Sequence, residues 1–311
     1  MIRRIVISGF LVLTMLLSAH ASEGKQVDIS KLRKITQVSE FQIANTDLLQ
    51  RGAFVATYEP TKGEFKGKQV IVFGSLHSSY KDGIPFKMIH KLMASLPQDA
   101  QVLYESTSFG NRIVFGKEIN INESNVNHTK KVYEPSWWDK IIGYFKPHAT
   151  TEMGLFCYEA DKRGISFACA DLPYDETMQF LRNKGYSEED IFGFGVYLGS
   201  QFLGYPTFTK SAYDYVIKSK IKKNLDLKAE MPFEGILEFF NFKKGDMMFF
   251  EHIYVRDQHA LTTLFESLKT HNTVIIAFGG WHWNLWQDVL EQHLGAPKIQ
   301  YYTEFLSDSA Q

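Results

Sequence analysis

One stretch of the chain reads Thr273-Val274-Ile275-Ile276-Ala277-Phe278-Gly279-Gly280-Trp281-His282. An apolar, β-branched run of this length predicts a buried strand, and the glycines predict that it ends just before the histidine. A second stretch has the same order, because residues 70–73 are apolar and Gly74-Ser75-Leu76-His77 follows them. Ligands of open α/β sheets bind outside the carboxyl ends of the strands. Two such strands side by side therefore predict one composite site that contains both histidines.

Strand and helix patterns alternate along the rest of the chain. Strands are predicted at 53–58, 69–73, 101–104, 165–170, 273–278 and 298–302, and helices at about 85–96, 151–162 and 283–294. A turn-rich segment at 60–63 favours an antiparallel pair of the first two strands. The asparagine-rich residues 120–127 predict a loop. The pattern indicates an α/β fold, a mixed central sheet flanked by helices, with a helical insertion at about 174–269.

The amino terminus has the pattern of a signal peptide. Arg3 and Arg4 precede the apolar residues 5–17, and Ala19-His20-Ala21 is a cleavage site before Ser22. We expect export to the periplasm or the medium, a lead-in at 22–45 and a single domain at 46–311. No other apolar stretch is as long, so we expect no stable membrane span after cleavage.

The charge of the chain excludes some classes of partner. The formal net charge is −1, and it falls by two, to −3, when Arg3 and Arg4 are removed with the leader. This balance is not that of a nucleic-acid-binding protein. The two cysteines, Cys157 and Cys169, flank a predicted helix-to-strand turn, and the sequence leaves open whether they are thiols or a disulfide.

Polar residues follow four predicted strands: His77, Glu105, Asp171 and His282. Imidazoles and carboxylates are the ligands of zinc, manganese or cobalt in hydrolytic sites, and such a metal lowers the pKa of a bound water to about 7. The sequence favours a site in which His77 and His282 bind a metal and a neighbouring carboxylate, such as Glu105, is a ligand or a general base. The alternative for Glu105 is a structural carboxylate that caps a neighbouring helix.

Arg256 lies in a helical pattern and shares a face with His252 and with His259 or Ala260. It is expected to bind a carboxylate or to stabilise an oxyanion, and its alternative is a salt bridge to a neighbouring helix. His252 and His259 are expected at the polar surface or behind the ligands. The chain has no His-Glu-x-x-His helix and no Gly-x-Ser-x-Gly motif, which excludes a thermolysin-like zinc site and a serine-hydrolase elbow.

As an ordered set, the two Gly-x-x-His motifs, Tyr104-Glu105, Asp171 and Arg256-Asp257 resemble the Tiki/TraB superfamily, which includes ChaN-type haem-binding proteins and erythromycin esterases. The resemblance covers residues from about 50 to 303. It implies an α/β core of two pseudo-repeats around a shared pocket. It also implies manganese- or cobalt-dependent proteolysis by His77, Glu105 and His282, with Arg256 in support. Trp281 and Trp283 depart from the smaller residues expected beside the second motif.

The leading hypothesis is an exported metal-dependent hydrolase, such as a peptidase, for peptide or small-molecule substrates. Glu105, Arg256 and Asp171 are its expected catalytic residues. The alternative is a ChaN-like carrier of haem or another apolar ligand, in which the Phe- and Met-rich residues 239–250 line a pocket instead of packing in a helical core. A third hypothesis is a fold that serves protein interaction alone.

Overall fold

The computed structural model describes residues 27–36, 53–75, 83–105, 112–114, 117–119, 121–134, 136, 151–191, 194 and 242–307. The expected signal peptide, His77 and residues 195–241 of the expected helical insertion lie outside these ranges.

The described strands are β1 (Phe54–Tyr58), β2 (Gln69–Ser75), β3 (Gln101–Tyr104), β4 (Arg112–Val114), β5 (Lys117–Ile119), β6 (Ser166–Cys169), β7 (Thr273–Gly279) and β8 (Lys298–Tyr301). The described helices include α1 (Ile84–Ser95), α2 (Ile121–Tyr133), α3 (Glu152–Arg163), α4 (Tyr174–Asn183), α5 (Phe242–Thr270), α6 (Gly280–Leu294) and α7 (Tyr302–Ser307). Among these, no helix is long and apolar enough to cross a membrane.

Six strands form a mixed sheet in the order β6-β3-β7-β2-β1-β8. The strands from β6 to β2 are parallel, and β1 is antiparallel to both β2 and β8. The mixed sheet flanked by helices and the antiparallel β1–β2 pair are therefore confirmed. A two-stranded antiparallel hairpin, β4–β5, lies apart from the sheet.

The central strand β7 shows why both faces of the sheet are covered. All its residues are buried, and successive side chains point to opposite faces. Val274, Ile276 and Phe278 pack with α4, α5 and α6, whereas Ile275 and Ala277 pack with α1 and α3. The continuous apolar run that predicted the strand is thus the signature of a sheet covered on both sides.

Helix ends follow local signals in the sequence. The hydroxyl of Thr151 accepts a hydrogen bond from the Gly154 N–H, 3.1 Å away, at the start of α3. Gly164 ends the same helix with a φ of 65°, a conformation that favours glycine. Ser187 and Asp190 bond to each other's backbone N–H, at 3.0 and 3.2 Å, as the capping pattern predicts.

Two expectations about local structure are wrong. Residues 121–127 of the segment expected as a loop belong to α2, because packing outweighs the weak helix propensity of asparagine. In that helix Thr129 is buried, and the ring of Tyr133 stacks 5.7 Å from that of Tyr158 in α3. Helix α6 begins at Gly280 instead of at 283, which places His282 in its first turn.

Cys157 and Cys169 are not joined in a disulfide.

Candidate functional site

The carboxyl ends of β2, β7, β3 and β6 meet at one edge of the sheet. Ser75 lies opposite Gly279, so the two glycine motifs are neighbours, and Tyr104 lies between Ala277 and Cys169. The ends of β3, β6 and β7 therefore bring Glu105, Asp171 and His282 together around Arg256, as the sequence predicts. His77 lies two residues beyond Ser75, outside the described ranges.

Glu105 is buried at this edge and uses both of its carboxylate oxygens. Oε2 accepts a hydrogen bond of 2.8 Å from the N–H of Gly279, the residue that caps the amino end of α6. Oε1 accepts a 2.8 Å bond from Nη2 of Arg256. Glu105 thus caps α6, as the alternative interpretation expects, but the cap uses Oε2 alone.

Arg256 joins the ends of β3 and β6. Its Nε and Nη2 bond the two oxygens of Asp171 at 2.6 and 2.5 Å, in the paired geometry that suits a guanidinium and a carboxylate. Burial raises the pKa of Asp171, and Arg256 opposes that rise. Burial likewise opposes the charge of Arg256, but Asp171 and Glu105 raise its pKa above the ordinary value, so the guanidinium stays charged. Nη1 of Arg256 takes no part in the two bonds to Asp171 or in the bond to Glu105.

His282 lies between two carboxylates. Its Nδ1 is 2.5 Å from Oδ1 of Asp257, and its Nε2 is 3.5 Å from Oε1 of Glu105. The side chain is 1% exposed, and the ring of Trp281 lies 3.7 Å from its ring. Burial lowers the pKa of the imidazole, but Asp257 and Glu105 outweigh burial and raise it to about 9.

Asp257 is a site residue that the sequence analysis names within the Arg256-Asp257 motif but gives no role of its own. It follows Arg256 directly, but consecutive helix residues point about 100° apart, so the two reach different partners. A signal was present in the sequence, since Asp257 interrupts the apolar helix face formed by Ile253, Ala260, Leu261 and Leu264. A carboxylate within such a face needs a specific partner, and here that partner is His282.

Two further polar side chains are buried near the strand ends. His252 lies one helical turn before Arg256 and packs edge-on to Phe194, with 5.6 Å between the rings. It is not at the surface, which corrects that part of the expectation. Burial, together with the charges of Arg256 and His282, holds its pKa well below the ordinary value, so it is neutral. The hydroxyl of Ser75 donates to Glu152 in the first turn of α3.

The distance between Nε2 of His282 and Oε1 of Glu105 fits two ligands of one divalent metal. Two ligand atoms on a tetrahedral metal with bonds of 2.0–2.2 Å lie roughly 3.3–3.6 Å apart, and the 3.5 Å between His282 Nε2 and Glu105 Oε1 agrees with this. Asp257 on Nδ1 is the outer carboxylate typical of metal-bound histidine. No group of three such side chains that could hold a metal occurs within the described ranges. The described part thus offers a pair of donor atoms at the spacing of metal ligands, and not a complete metal site.

Comparisons of the chain with models of protein families, with curated proteins and with solved structures found no match.

Proposed function

We propose that this chain is an exported metal-dependent hydrolase of the Tiki/TraB type, acting on peptides or small molecules. The observation that carries the proposal is the geometry at His282. Its Nδ1 is occupied by Asp257, while its Nε2 is 3.5 Å from a carboxylate oxygen of Glu105. An imidazole held in this way offers one nitrogen to a metal.

The metal is manganese, cobalt or zinc, held by His282, Glu105 and His77. His77 is assigned by its place in the sequence, two residues after Ser75 at the end of β2. When bound, the metal lowers the pKa of water to about 7 and supplies hydroxide near neutral pH.

The charges of the described residues support a cation at this place. Glu105, Asp171 and Asp257 are three carboxylates, and Arg256 is the permanent cation that contacts the first two. A neutral His282 leaves the cluster with two uncompensated negative charges in a buried environment, which is unfavourable. A divalent cation balances the cluster in full.

Each residue then has a distinct task. Glu105 is the proposed general base for the attacking water. Asp171 fixes the guanidinium plane of Arg256 through two bonds, and Arg256 in turn fixes Glu105. The two N–H groups of Arg256 Nη1 are the proposed donors to the oxyanion.

A metal-dependence assay tests the proposal. The full chain, stripped with chelator and then supplied with Mn²⁺, Co²⁺ or Zn²⁺, is assayed on a library of quenched fluorescent peptides. We expect metal-dependent cleavage that is lost in His77→Ala and His282→Ala and kept in His259→Ala, which changes a half-buried histidine of α5. Cleavage that is independent of metal, or unaffected by the first two variants, contradicts the proposal.

The haem-carrier alternative has less support. Nε2 of His282, the nitrogen that would bind iron, is 3.5 Å from a carboxylate oxygen instead of facing an apolar surface. A haem absorbance titration separates the two functions. A Soret shift that depends on His282, in a protein without hydrolytic activity, would favour the carrier.

A further inference from the structure

Asp257 is the most deeply buried carboxylate of the site, with no exposed surface. Its Oδ1 bonds Nδ1 of His282 at 2.5 Å. Its Oδ2 is buried and has no hydrogen-bond partner among the described residues. Within that part of the chain, His282 is therefore the single hydrogen-bonding partner of this carboxylate.

A carboxylate in such a position does not stabilise the fold efficiently. Buried carboxylates that serve structure have both oxygens satisfied, as in Asp171, whose two oxygens bond Arg256. The face of α5 around Asp257 is apolar, with Ile253 and Leu261 fully packed. One buried oxygen without a partner costs about 1–3 kcal/mol. The effect of this arrangement is that Asp257 fixes the hydrogen-bonding state of Nδ1 of His282.

We propose that Asp257 is a positioning residue that holds the Nδ1–H of His282, so that Nε2 is the nitrogen offered to the metal. This inference rests on the proposed function, and it adds to it a residue and a specific nitrogen. The contact fixes the rotation of the ring about its long axis, and the negative charge of Asp257 makes Nε2 a stronger electron donor. Asp257 touches neither the metal nor the substrate and acts only through His282.

Calorimetric titration of the metal-free full chain with Zn²⁺ tests the inference. We expect Asp257→Asn to weaken Zn²⁺ binding by about 10–100-fold, the effect usual for partners behind a metal ligand. Asp288→Asn removes an exposed carboxylate from α6 and is the matched control, with unchanged affinity. In a His282→Ala background, Asp257→Asn should have no further effect, because the residue through which it acts is gone.

A spectroscopic measurement separates positioning from general stability. In the Zn²⁺-loaded protein with ¹⁵N-labelled histidine, His282 should retain a hydrogen on Nδ1 and carry the metal on Nε2. Three results would each overturn this inference and leave the proposed function standing. The first is metal on Nδ1, and the second is an equal Zn²⁺ affinity of Asp257→Asn and the wild type. The third is an effect of Asp257→Asn that is undiminished in the His282→Ala background. Absence of Zn²⁺ binding by the wild type would overturn the proposed function as well.

Discussion

Gly74 and Gly280, one from each glycine motif, are in close contact. A Cβ added to Gly74 would lie 2.9 Å from the Cα of Gly280 and 2.4 Å from the ring of Phe54. Contacts this short force a neighbour to move, and the backbone at the start of α6 yields less easily than a side-chain tip. The two motifs can thus approach this closely because residue 74 has no side chain.

Gly74→Ala should therefore disturb the site as well as the fold. We expect a loss of about 1–3 kcal/mol in the free energy of unfolding, as for other overpacked cores, and weaker metal binding because His282 shifts with α6. Gly67→Ala is the control, since Gly67 has a φ of 79° and open space around it. That variant should lose about 1–2 kcal/mol through backbone strain alone and keep its metal affinity. Urea unfolding and calorimetry measure the two quantities.

Glu105→Gln separates catalysis from helix capping. The amide oxygen can still accept the Gly279 N–H, so the helix cap is kept, but the buried ion pair with Arg256 is lost and we expect a lower melting temperature. Loss of the base should lower turnover by about 10²–10⁴-fold. The matched control is Glu159→Gln, which alters a half-buried carboxylate paired with His90 at 3.0 Å. Unchanged turnover in Glu105→Gln would show that Glu105 is not the base and would leave it only its structural contacts to Gly279 and Arg256.

Removal of the Arg256 side chain should be strongly destabilising. Arg256→Met leaves Glu105 and Asp171 buried without their cation, and breaking a buried pair in this way costs about 3–5 kcal/mol. Arg256→Lys restores the charge but not the planar fork, so it should recover part of the loss. Arg182→Met is the control, because it breaks an exposed pair with Glu188 and should cost no more than about 1 kcal/mol. Equal losses in the two methionine variants would contradict the role of Arg256.

The stability of the metal-free protein should fall as the solution becomes alkaline. The pKa of His282 is raised from 6.5 to about 9, so the folded state holds a proton that the unfolded state releases. The stabilisation is complete below pH 6.5 and is lost between pH 6.5 and 9. At about 1.4 kcal/mol per pH unit, it amounts to roughly 3 kcal/mol.

Denaturant unfolding in the presence of chelator, at intervals from pH 6.5 to 9, measures this slope. Asp257→Asn should flatten it, because Asp257 is the stronger of the two carboxylates that raise the pKa. A wild-type profile that is level over this range would show that His282 is neutral in the metal-free protein.

The strands and most of the site follow from patterns that are local in the sequence. Continuous apolar runs predict buried strands because each side chain of β7 meets a covered face. Glu105, Asp171 and Arg256 were predicted from their places after strands and on a helix, and the structure joins them by direct bonds. For these residues, the position relative to a strand end or along a helix was sufficient to predict that they lie close together.

Other features depend on contacts that no local pattern contains. The helix α2 forms because a packing partner is available in α3, although its own sequence predicts a loop. The burial of His252 depends on Phe194, more than fifty residues earlier in the chain. The partner of Asp257 lies on a different helix, and only the packing of α6 against the sheet brings His282 within 2.5 Å.

The order of strands in the sheet has a consequence for synthesis. Strand β7 separates β2 from β3, although it leaves the ribosome long after both. Until β7 is made, β2 and β3 each present an unpaired edge, the kind of surface that favours aggregation. The glycine motif at 279–282 is the last part of the candidate site to be made, so the contacts of Glu105 with Gly279 and His282 cannot form before it.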